Sequence, residues 1–250
     1  METRYDASMD GVALSSISDS IYVLDISESA PQMDIHTAAK PGGVGSFVLG
    51  VTREALTVSV SFAVREYDTK ARKQIMSRVA KWCSGKYLTV SDRPLQRLQV
   101  VCQTPPTAFS ALSWTDTVTA VFAAYALPYW ESMETVRAEA SGDSGSVTLS
   151  PSGTAPECVL QAVLTNDGDG TLNTVSISLL GTSMVFEGLG IAPGASMSME
   201  LDGGVLRYPA GCLTEDSADE IMLRQGGSNT VTFSADQTVS ATFYAREVWL

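Results

Sequence analysis

The chain of 250 residues contains one histidine and four cysteines, so it has few side chains that could hold a metal ion. Zinc sites need several cysteine or histidine ligands at close spacing, whereas the cysteines Cys83, Cys102, Cys158 and Cys212 lie far apart in the sequence. We therefore expect no metal site and no other cofactor. Cys158 and Cys212 could form a disulfide across a sandwich, but free buried thiols are the expected state in a reducing cytoplasm.

The sequence also lacks long apolar runs and an excess of basic residues. No run approaches the ~20 apolar residues that a membrane span requires, and the N-terminus lacks the basic-then-apolar order of a signal peptide. We therefore expect neither membrane insertion nor export by the general route. The net charge is −12 at pH 7. Because such a chain repels phosphate, we do not expect it to recognise nucleic acid sequences.

Charge and composition divide the chain into two parts. Residues 1–137 carry 13 basic and 14 acidic side chains, whereas residues 138–250 carry 3 and 14. Near this change, residues 139–146 are mostly small and polar, as in an interdomain linker. We predict an N-terminal β domain over residues 1–138, a linker over residues 139–146 and a C-terminal β-sandwich over residues 147–250.

A strand followed by an amphipathic helix is the clearest local pattern. Apolar and polar residues alternate over Leu56–Arg65, which predicts a half-buried strand. A helix is predicted over about residues 68–84, because Asp68 or Thr69 can cap its start and Gly85 can end it. Its apolar face would contain Ala71, Ile75, Val79, Trp82 and Cys83. Its polar face would contain Lys70, Lys73, Gln74, Ser77 and Lys81, with Arg78 at the margin.

Further short strands are predicted along the rest of the chain. Strands over residues 87–90 and 95–102 flank a Ser-Asp-Arg-Pro turn, and residues 118–130 form a long apolar run in which Pro128 suits a sheet edge or end. In the C-terminal part, runs split by Gly, Asn, Asp and Pro are typical of a β-sandwich. These runs cover residues 159–164, 175–180, 183–186, 196–201, 204–208, 230–233 and 239–249. The predicted fold class is mostly β with one helix.

The order of these motifs resembles the distal tail proteins of long-tailed (siphovirus-type) bacteriophages or prophages. In the N-terminal part, the resemblance depends on the strand–helix–turn order and on the final Tyr-Ala-Leu-Pro-Tyr-Trp segment at residues 125–130. In the C-terminal part, it depends on the segments at residues 164–169, 191–194, 226–231 and 249–250. The similarity covers about residues 45–250. Within residues 1–44, a segment such as Ile35–Val44 could order only on assembly.

The resemblance implies a structural virion protein that is not an enzyme. Its N-terminal domain would form a homo-hexameric ring, single or paired, and its C-terminal domain would be a galectin-like or carbohydrate-module-like sandwich. The ring would be a hub at the distal end of the tail tube, assembled in the bacterial cytoplasm. Its partners would be the tail tube protein, the tape-measure protein and a tail-tip or tail-associated protein of the tip or baseplate.

The predicted helix supplies a candidate subunit interface. Its basic residues are Lys70, Lys73, Arg78 and Lys81. Like charges at helical spacing are unfavourable by a few tenths of a kcal/mol, so an acidic surface of an adjacent subunit would stabilise this face. The alternative is a solvated face, since exposed charge rows are weakly coupled. The candidate core or interface anchors are the large aromatic residues Trp82, Trp114 and Trp130.

One motif suggests a different function, that of a serine protease. Residues 142–146 are similar to the nucleophile loop of chymotrypsin-like enzymes, in which Ser144 would be activated by His36 and a carboxylate such as Asp92. The histidine does not stand in the Ala-Ala-His-Cys run of that family, and Ser146 replaces its second glycine. We therefore prefer a linker and predict no catalytic residues.

Two other motifs have alternative interpretations. Residues 166–170 could be a calcium loop, but the required ligand spacing is absent, and Asp-Gly pairs between apolar runs are typical of a hairpin turn. A carbohydrate-binding role would use exposed aromatic rings, for which Tyr208, Tyr244 and Trp249 are the candidates. The carbohydrate-binding role is supported by an analogy of fold, which is weak evidence for function.

Overall fold

The computed structural model describes residues 5–30, 33–106, 115–202 and 204–250. The chain divides into two compact units, Met1–Trp130 and Glu131–Leu250. Regular structure in the described ranges is almost entirely β-strand, with one α-helix and a short 3-10 turn at Leu14–Ser16. The predicted fold class is therefore confirmed. In the same ranges, no helix has the length and apolar character that crossing a bilayer requires.

The first unit contains the helix and strands β1 to β10. Their bounds are β1 Ala7–Met9, β2 Val12–Ala13, β3 Ile21–Ser29, β4 Met33–Ala39, β5 Ser46–Arg53, β6 Leu56–Arg65, α1 Thr69–Trp82, β7 Tyr87–Val90, β8 Gln96–Gln99, β9 Val101–Thr104 and β10 Thr115–Ala124. One antiparallel sheet has the order β3-β6-β10-β9, and a second has β8-β7-β1-β2. The strands β4 and β5 form a separate two-stranded hairpin.

The predicted strand over residues 56–65 is confirmed and lies inside the first sheet. In β6, Val58, Val60 and Phe62 are fully buried, while the residues between them are half-exposed. Ala63 is also buried, because β6 has a neighbouring strand on both edges. The predicted strand over residues 95–102 is instead two short strands that belong to different sheets, since β8 pairs with β7 and β9 pairs with β10.

The helix begins where the sequence predicts. The carboxylate of Asp68 accepts a hydrogen bond from the Lys70 backbone amide at 2.9 Å and caps the first turn. The buried face is shifted from the predicted one, because Arg72 and Met76 are buried whereas Ala71 is only half-buried. Gly85 follows the helix, but its role is close packing. A Cβ at Gly85 would lie 2.3 Å from the Met9 side chain, a distance that forces that side chain to move.

The second unit is built from strands β11 to β19. Their bounds are β11 Trp130–Leu149, β12 Glu157–Val159, β13 Gln161–Asn166, β14 Val175–Leu179, β15 Thr182–Phe186, β16 Ser196–Asp202, β17 Val205–Arg207, β18 Met222–Arg224 and β19 Asn229–Trp249. The two predicted strands over residues 230–233 and 239–249 are one continuous strand, β19. Its side chains alternate between buried and exposed along almost its whole length.

The long strand β19 organises the second unit. Sheet order runs β17-β16-β13-β19-β11, and β14 pairs with both β15 and β19. Strands β13 and β14 both pair antiparallel with β19, one after the other along its length. Strand β13 lies opposite residues 239–244, and β14 lies opposite residues 232–235. The loop at residues 167–174 therefore joins two strands that follow each other along β19. It is not the hairpin turn that the Asp-Gly pairs predict.

The predicted linker over residues 139–146 is instead part of strand β11, and the compact units divide at residue 130. Small polar residues form a strand here because backbone hydrogen bonding to β19 does not depend on side-chain size. Gly145 also has a packing role. A Cβ at this position would lie 2.7 Å from the Phe233 ring, and that ring contacts Phe243 with centroids 5.7 Å apart. The absence of a side chain at Gly145 therefore leaves room for the buried Phe233 ring.

Candidate subunit interface

The polar face of α1 is an exposed basic surface. All four predicted interface residues are exposed: Lys70, Lys73, Arg78 and Lys81. They lie on one 14-residue helix whose opposite face is buried, and none of its residues is acidic. The helix therefore presents positive charge on a protein of net charge −12. We call these four residues the basic face.

Helix α1 is held in place through Trp82. The indole Nε1 donates a hydrogen bond to the Val12 carbonyl at 2.7 Å, and the ring meets Phe122 edge-on with centroids 5.8 Å apart. Both rings are buried. Trp82 is thus a core anchor that joins the helix to strands β2 and β10, so the basic face has a rigid support.

Trp130 is a second anchor, fully buried in the first unit. Its Nε1 donates to the Glu28 carboxylate at 3.2 Å, and the Arg93 guanidinium lies 5.1 Å from the ring centroid. Arg93 and Glu28 also form an ion pair at 3.5 Å. The Ser-Asp-Arg-Pro turn therefore has a packing function, because its arginine covers the tryptophan. The third predicted anchor, Trp114, lies outside the described residues.

The hairpin of β4 and β5 is an exposed apolar surface, which we call the apolar hairpin (residues 33–53). Its strands pair antiparallel from Met33↔Arg53 to Ala39↔Ser46, with a register shift between His36 and Thr37. Its large apolar side chains are 53–100% exposed: Met33, Ile35, Val44, Phe47, Val48, Leu49 and Val51. Contiguous exposed apolar patches mark interaction sites, and a lone two-stranded hairpin is marginally stable in water. A partner surface would therefore stabilise it.

Sequence reasoning missed the apolar hairpin as a functional element. Its first strand, β4, falls within residues 1–44, where the family resemblance is thinnest, and covers residues 35–39 of the segment 35–44 that could order only on assembly. A signal was present, because the Pro-Gly-Gly turn at residues 41–43 is flanked by apolar runs. That arrangement is typical of a hairpin with a longer loop.

The proposed protease residues are divided between the two units, with His36 and Asp92 in the first and Ser144 in the second. The Nε2 atom of His36 is 3.1 Å from the Thr52 hydroxyl, across the apolar hairpin. The Ser144 hydroxyl donates to its neighbour Asp143 at 3.1 Å. These bonds direct each side chain to a local partner, and a triad requires a serine bonded to a histidine. Ser144 is an exposed strand residue of β11.

The Asn166–Gly170 segment is a loop organised by an amide side chain. Fully buried Asn166 donates to the carbonyls of Gly170 and Ile191 at 2.8 and 2.9 Å, and its Oδ1 accepts from Gly168 at 3.0 Å. The Asp167 carboxylate accepts from the Ser240 hydroxyl. In the described ranges, no group of three or more His, Cys, Asp or Glu residues is placed to hold a metal ion.

The aromatic residues considered for sugar stacking are all partly buried. Tyr208 meets Phe186 edge-on with centroids 5.7 Å apart. Burial raises the pKa of Tyr244, and the nearby Glu200 carboxylate raises this pKa further. A sugar platform needs an open ring face, so the carbohydrate-binding alternative is not favoured.

All four cysteines are free thiols. Cys158 is buried in β12, and burial raises its pKa to about 12. Cys212 is partly exposed, and its Sγ is 3.9 Å from the Gly188 carbonyl. The two residues considered for a disulfide are therefore unpaired.

The two units together define a class of protein. The first is a β-sheet unit with one helix, an exposed apolar hairpin and a basic face, and the second is an all-β unit. This mostly β architecture, with one helix in the described ranges, is the fold class that the sequence predicts.

Comparisons with solved structures show which known proteins have a similar fold. The chain is similar to the SPP1 Dit (gp 19.1) protein, described as a paradigm of the hub adsorption apparatus in phages that infect Gram-positive bacteria. The TM-score is 0.68 with 15% identity, covering 98% of this chain and 99% of that chain. It is also similar to chains of the activated phage P2 baseplate. The form with calcium gives a TM-score of 0.51 at 10% identity, covering 91% and 90%. The form with strontium gives 0.52 at 10%, covering 97% and 97%.

No family model matches the chain, and no curated protein matches it by sequence. At 10–15% identity the likeness shows the fold alone. The resemblance that the motif order predicts is confirmed at that level.

Proposed function

We propose that this chain is the structural hub of a phage tail: a homo-hexameric ring at the distal end of the tail tube that joins the tube to the tail-tip or baseplate proteins. The observation that carries the proposal is the match to a hub protein over nearly the whole length of both chains. On this proposal the protein is a virion component assembled in the host cytoplasm. Its partners are the tail tube, tape-measure and tail-tip or tail-associated proteins.

The apolar hairpin supports assembly with further copies of the chain. Seven large apolar side chains are at least half exposed within this one hairpin. Burying them against a neighbouring subunit removes apolar area from water, which is the main driving force of association. A ring of identical subunits supplies such a neighbour to every copy.

The positive charge of the basic face favours a closed ring of subunits and disfavours a two-fold symmetric dimer. In a two-fold contact the same patch meets itself, whereas a head-to-tail contact joins two different patches and closes into a ring when the rotation allows. A face with four basic residues would repel its own copy. In a ring it would instead meet acidic residues of the adjacent subunit, which are abundant in a chain with 28 acidic and 16 basic residues. The charges therefore favour the head-to-tail arrangement.

Light scattering on the purified full chain tests the proposal. The expected mass is six times the 26.5 kDa of the protomer, or twelve times for paired rings, and it should fall as the protein is diluted. Added salt should shift the equilibrium towards smaller species, because exposed charge pairs are screened. A mass of one protomer at every concentration, even with tail tube protein supplied, would refute the hexameric hub.

A further inference from the structure

We propose that the hairpin tip Leu180–Gly181 of one copy docks into a cavity beside the basic face of a second copy, with an acidic loop of the first copy (residues 215–220) against the basic residues. The contact is head-to-tail, because it joins two different surfaces of the same chain. The inference rests on the proposed ring, and it names the acidic surface that the basic face meets there.

The hairpin tip is a tight turn with an unusual residue. Strands β14 and β15 pair as far as Leu179↔Thr182, so Leu180 and Gly181 alone form the turn. Their φ angles are 50° and 88°. A two-residue turn with two positive φ angles strongly prefers Asn, Asp or Gly at its first position, whereas the Cβ of leucine crowds the following carbonyl oxygen in this conformation.

The Leu180 side chain is also unfavourably placed with respect to water. It is 80% exposed, and no large apolar side chain among the described residues of the second unit is more exposed. Residues that break local rules of structure concentrate at functional sites. An exposed leucine at a strained turn is therefore a candidate anchor for a partner surface.

The acidic loop lies beside this tip. The Ala218 backbone amide donates to the Ser183 carbonyl of β15 at 2.9 Å, and Glu220 lines the same concave surface as Leu180. The loop contains no basic residue, and its acidic side chains are all exposed: Glu215, Asp216, Asp219 and Glu220. The tip therefore presents an apolar side chain next to a negative surface.

The positive charge near the tip already has a partner of opposite sign. Arg224 lines the same concave surface, and it lies directly opposite Glu157 in the pairing of β12 with β18. Opposite charges at such cross-strand positions attract each other. The acids of the loop therefore remain available for a basic surface.

The receiving cavity lies in the first unit and has a volume of about 440 Å³. Val12 in its wall is 52% exposed, and the Val12 carbonyl accepts the hydrogen bond from Trp82 that fixes this wall. The lining combines two residues of the basic face with apolar side chains: Arg78, Lys81, Met9, Val12, Ile17 and Trp82. The cavity is thus apolar inside and positive at one side.

The acidic residue in the cavity lining is engaged locally. The Asp10 carboxylate accepts hydrogen bonds from the backbone amides of Lys86 and Tyr87, both at 2.9 Å. In the described ranges, neither Arg78 nor Lys81 forms an ion pair. The positive charge beside the cavity therefore remains available for the acidic loop of another copy.

The two surfaces complement each other in polarity and charge. Leu180 supplies an apolar anchor for an apolar cavity, and anchors buried in pockets carry much of the affinity of an interface. The acidic loop meets the basic face, and such complementarity fixes the orientation of a contact and disfavours like-charged arrangements. Two copies of the chain therefore provide both halves of the contact.

Leu180→Asn separates docking from folding. Asparagine suits the first position of this turn, so urea unfolding of the dissociated protomer should show stability equal to or above that of the wild type. Light scattering over a dilution series should show association weakened at least ~10-fold, because the anchor is lost. The control is Val205→Asn, at a side chain 58% exposed in the same unit, and it should assemble like the wild type.

Crosslinking of mixed copies tests the contact directly. In a chain whose partly exposed Cys102 and Cys212 are replaced by serine, a Leu180→Cys copy and a Val12→Cys copy are mixed while dilute, concentrated together and treated with a short bis-maleimide. We expect a covalent dimer in the mixture and none in either variant alone. Leu95→Cys, at a side chain 65% exposed in the first unit, replaces Val12→Cys in the control and should give no dimer.

A charge exchange tests the acidic loop. Asp219→Lys with Glu220→Lys should weaken assembly, and adding Arg78→Glu with Lys81→Glu to the same chain should restore it. Three results would overturn the docking contact and leave the ring standing: hexamers of Leu180→Asn as stable as those of the wild type, no covalent dimer in the mixture, or no restoration by the charge exchange. A wild-type chain that stays a single copy at every concentration would overturn both.

Discussion

Replacing Val48 and Leu49 with serine should weaken subunit assembly and leave the protomer folded. The two side chains are 64% and 70% exposed on the apolar hairpin. Surface substitutions of this kind usually change protomer stability by less than about 0.5 kcal/mol. Any large effect of the double variant must therefore come from a surface that is buried only in the assembly.

The expected loss can be worked out from the exposed fractions. Fully burying a Val or Leu side chain is worth about 1.5–3 kcal/mol relative to leaving it exposed. Because about two thirds of each side chain is still exposed in the protomer, burial at an interface would add about 1–2 kcal/mol per residue. The double variant should lose about 2–4 kcal/mol per interface. At 1.4 kcal/mol per factor of ten, association weakens about 30- to 1000-fold.

Light scattering over a dilution series measures this loss, with urea unfolding to confirm an intact protomer. The matched control is Leu95→Ser with Val101→Ser, since these residues are of the same types, are 65% and 62% exposed and belong to the same unit. We expect the control to assemble like the wild type. A Val48→Ser/Leu49→Ser variant that assembles normally would refute the role of the hairpin, as would a control that dissociates equally.

Three other predictions concern the basic face, the β11 glycine and the buried thiols. Charge reversal by Lys73→Glu with Lys81→Glu should lower the assembled fraction at low salt and reduce its sensitivity to added salt, measured by light scattering. Gly145→Ala should destabilise the fold by about 1–3 kcal/mol in urea unfolding, because the added Cβ would overlap a core ring. The pKa values of Cys83 and Cys158 are about 12 in the folded chain, against 9.0 for an ordinary cysteine. In the unfolded chain these thiols ionise near pH 9, whereas in the folded chain they stay neutral until about pH 12. Their contribution to the free energy of unfolding is therefore complete below pH 9 and is lost as the pH rises from 9 towards 12, because ionisation favours the unfolded chain. Stability measured over this range should fall less steeply when both residues are replaced by alanine.

Each of these predictions has a control and a contradictory result. For the basic face, Arg137→Glu with Arg207→Glu makes the same charge change on exposed residues of the second unit, and hexamers unchanged by Lys73→Glu/Lys81→Glu would contradict the interface. For the glycine, Gly227→Ala adds a Cβ that meets nothing within 4 Å; equal stability of the two variants would contradict the packing role. For the thiols, parallel pH curves for variant and wild type would exclude their ionisation as a cause.

The sequence was sufficient for elements whose side chains carry a clear period. Strand β6 was predictable because its alternate residues are buried in a sheet. Helix α1 was predictable because Asp68 supplies a capping oxygen and one face is apolar. The basic face followed from the helical period, so its exposure was also predictable.

Other features depend on contacts that no local pattern reports. Residues 139–146 have the composition of a linker, and only pairing with β19 makes them a strand. The division of the chain at residue 130 follows from the same strand. Arg93 reaches Trp130 and Glu28 through tertiary packing.

Electron microscopy of the purified protein tests the central claim most directly. Class averages of the particle should show a closed ring of six copies around a central opening, because the proposal places this chain at the end of a tail tube. Class averages that contain only single copies, or two-fold dimers without an opening, would contradict it.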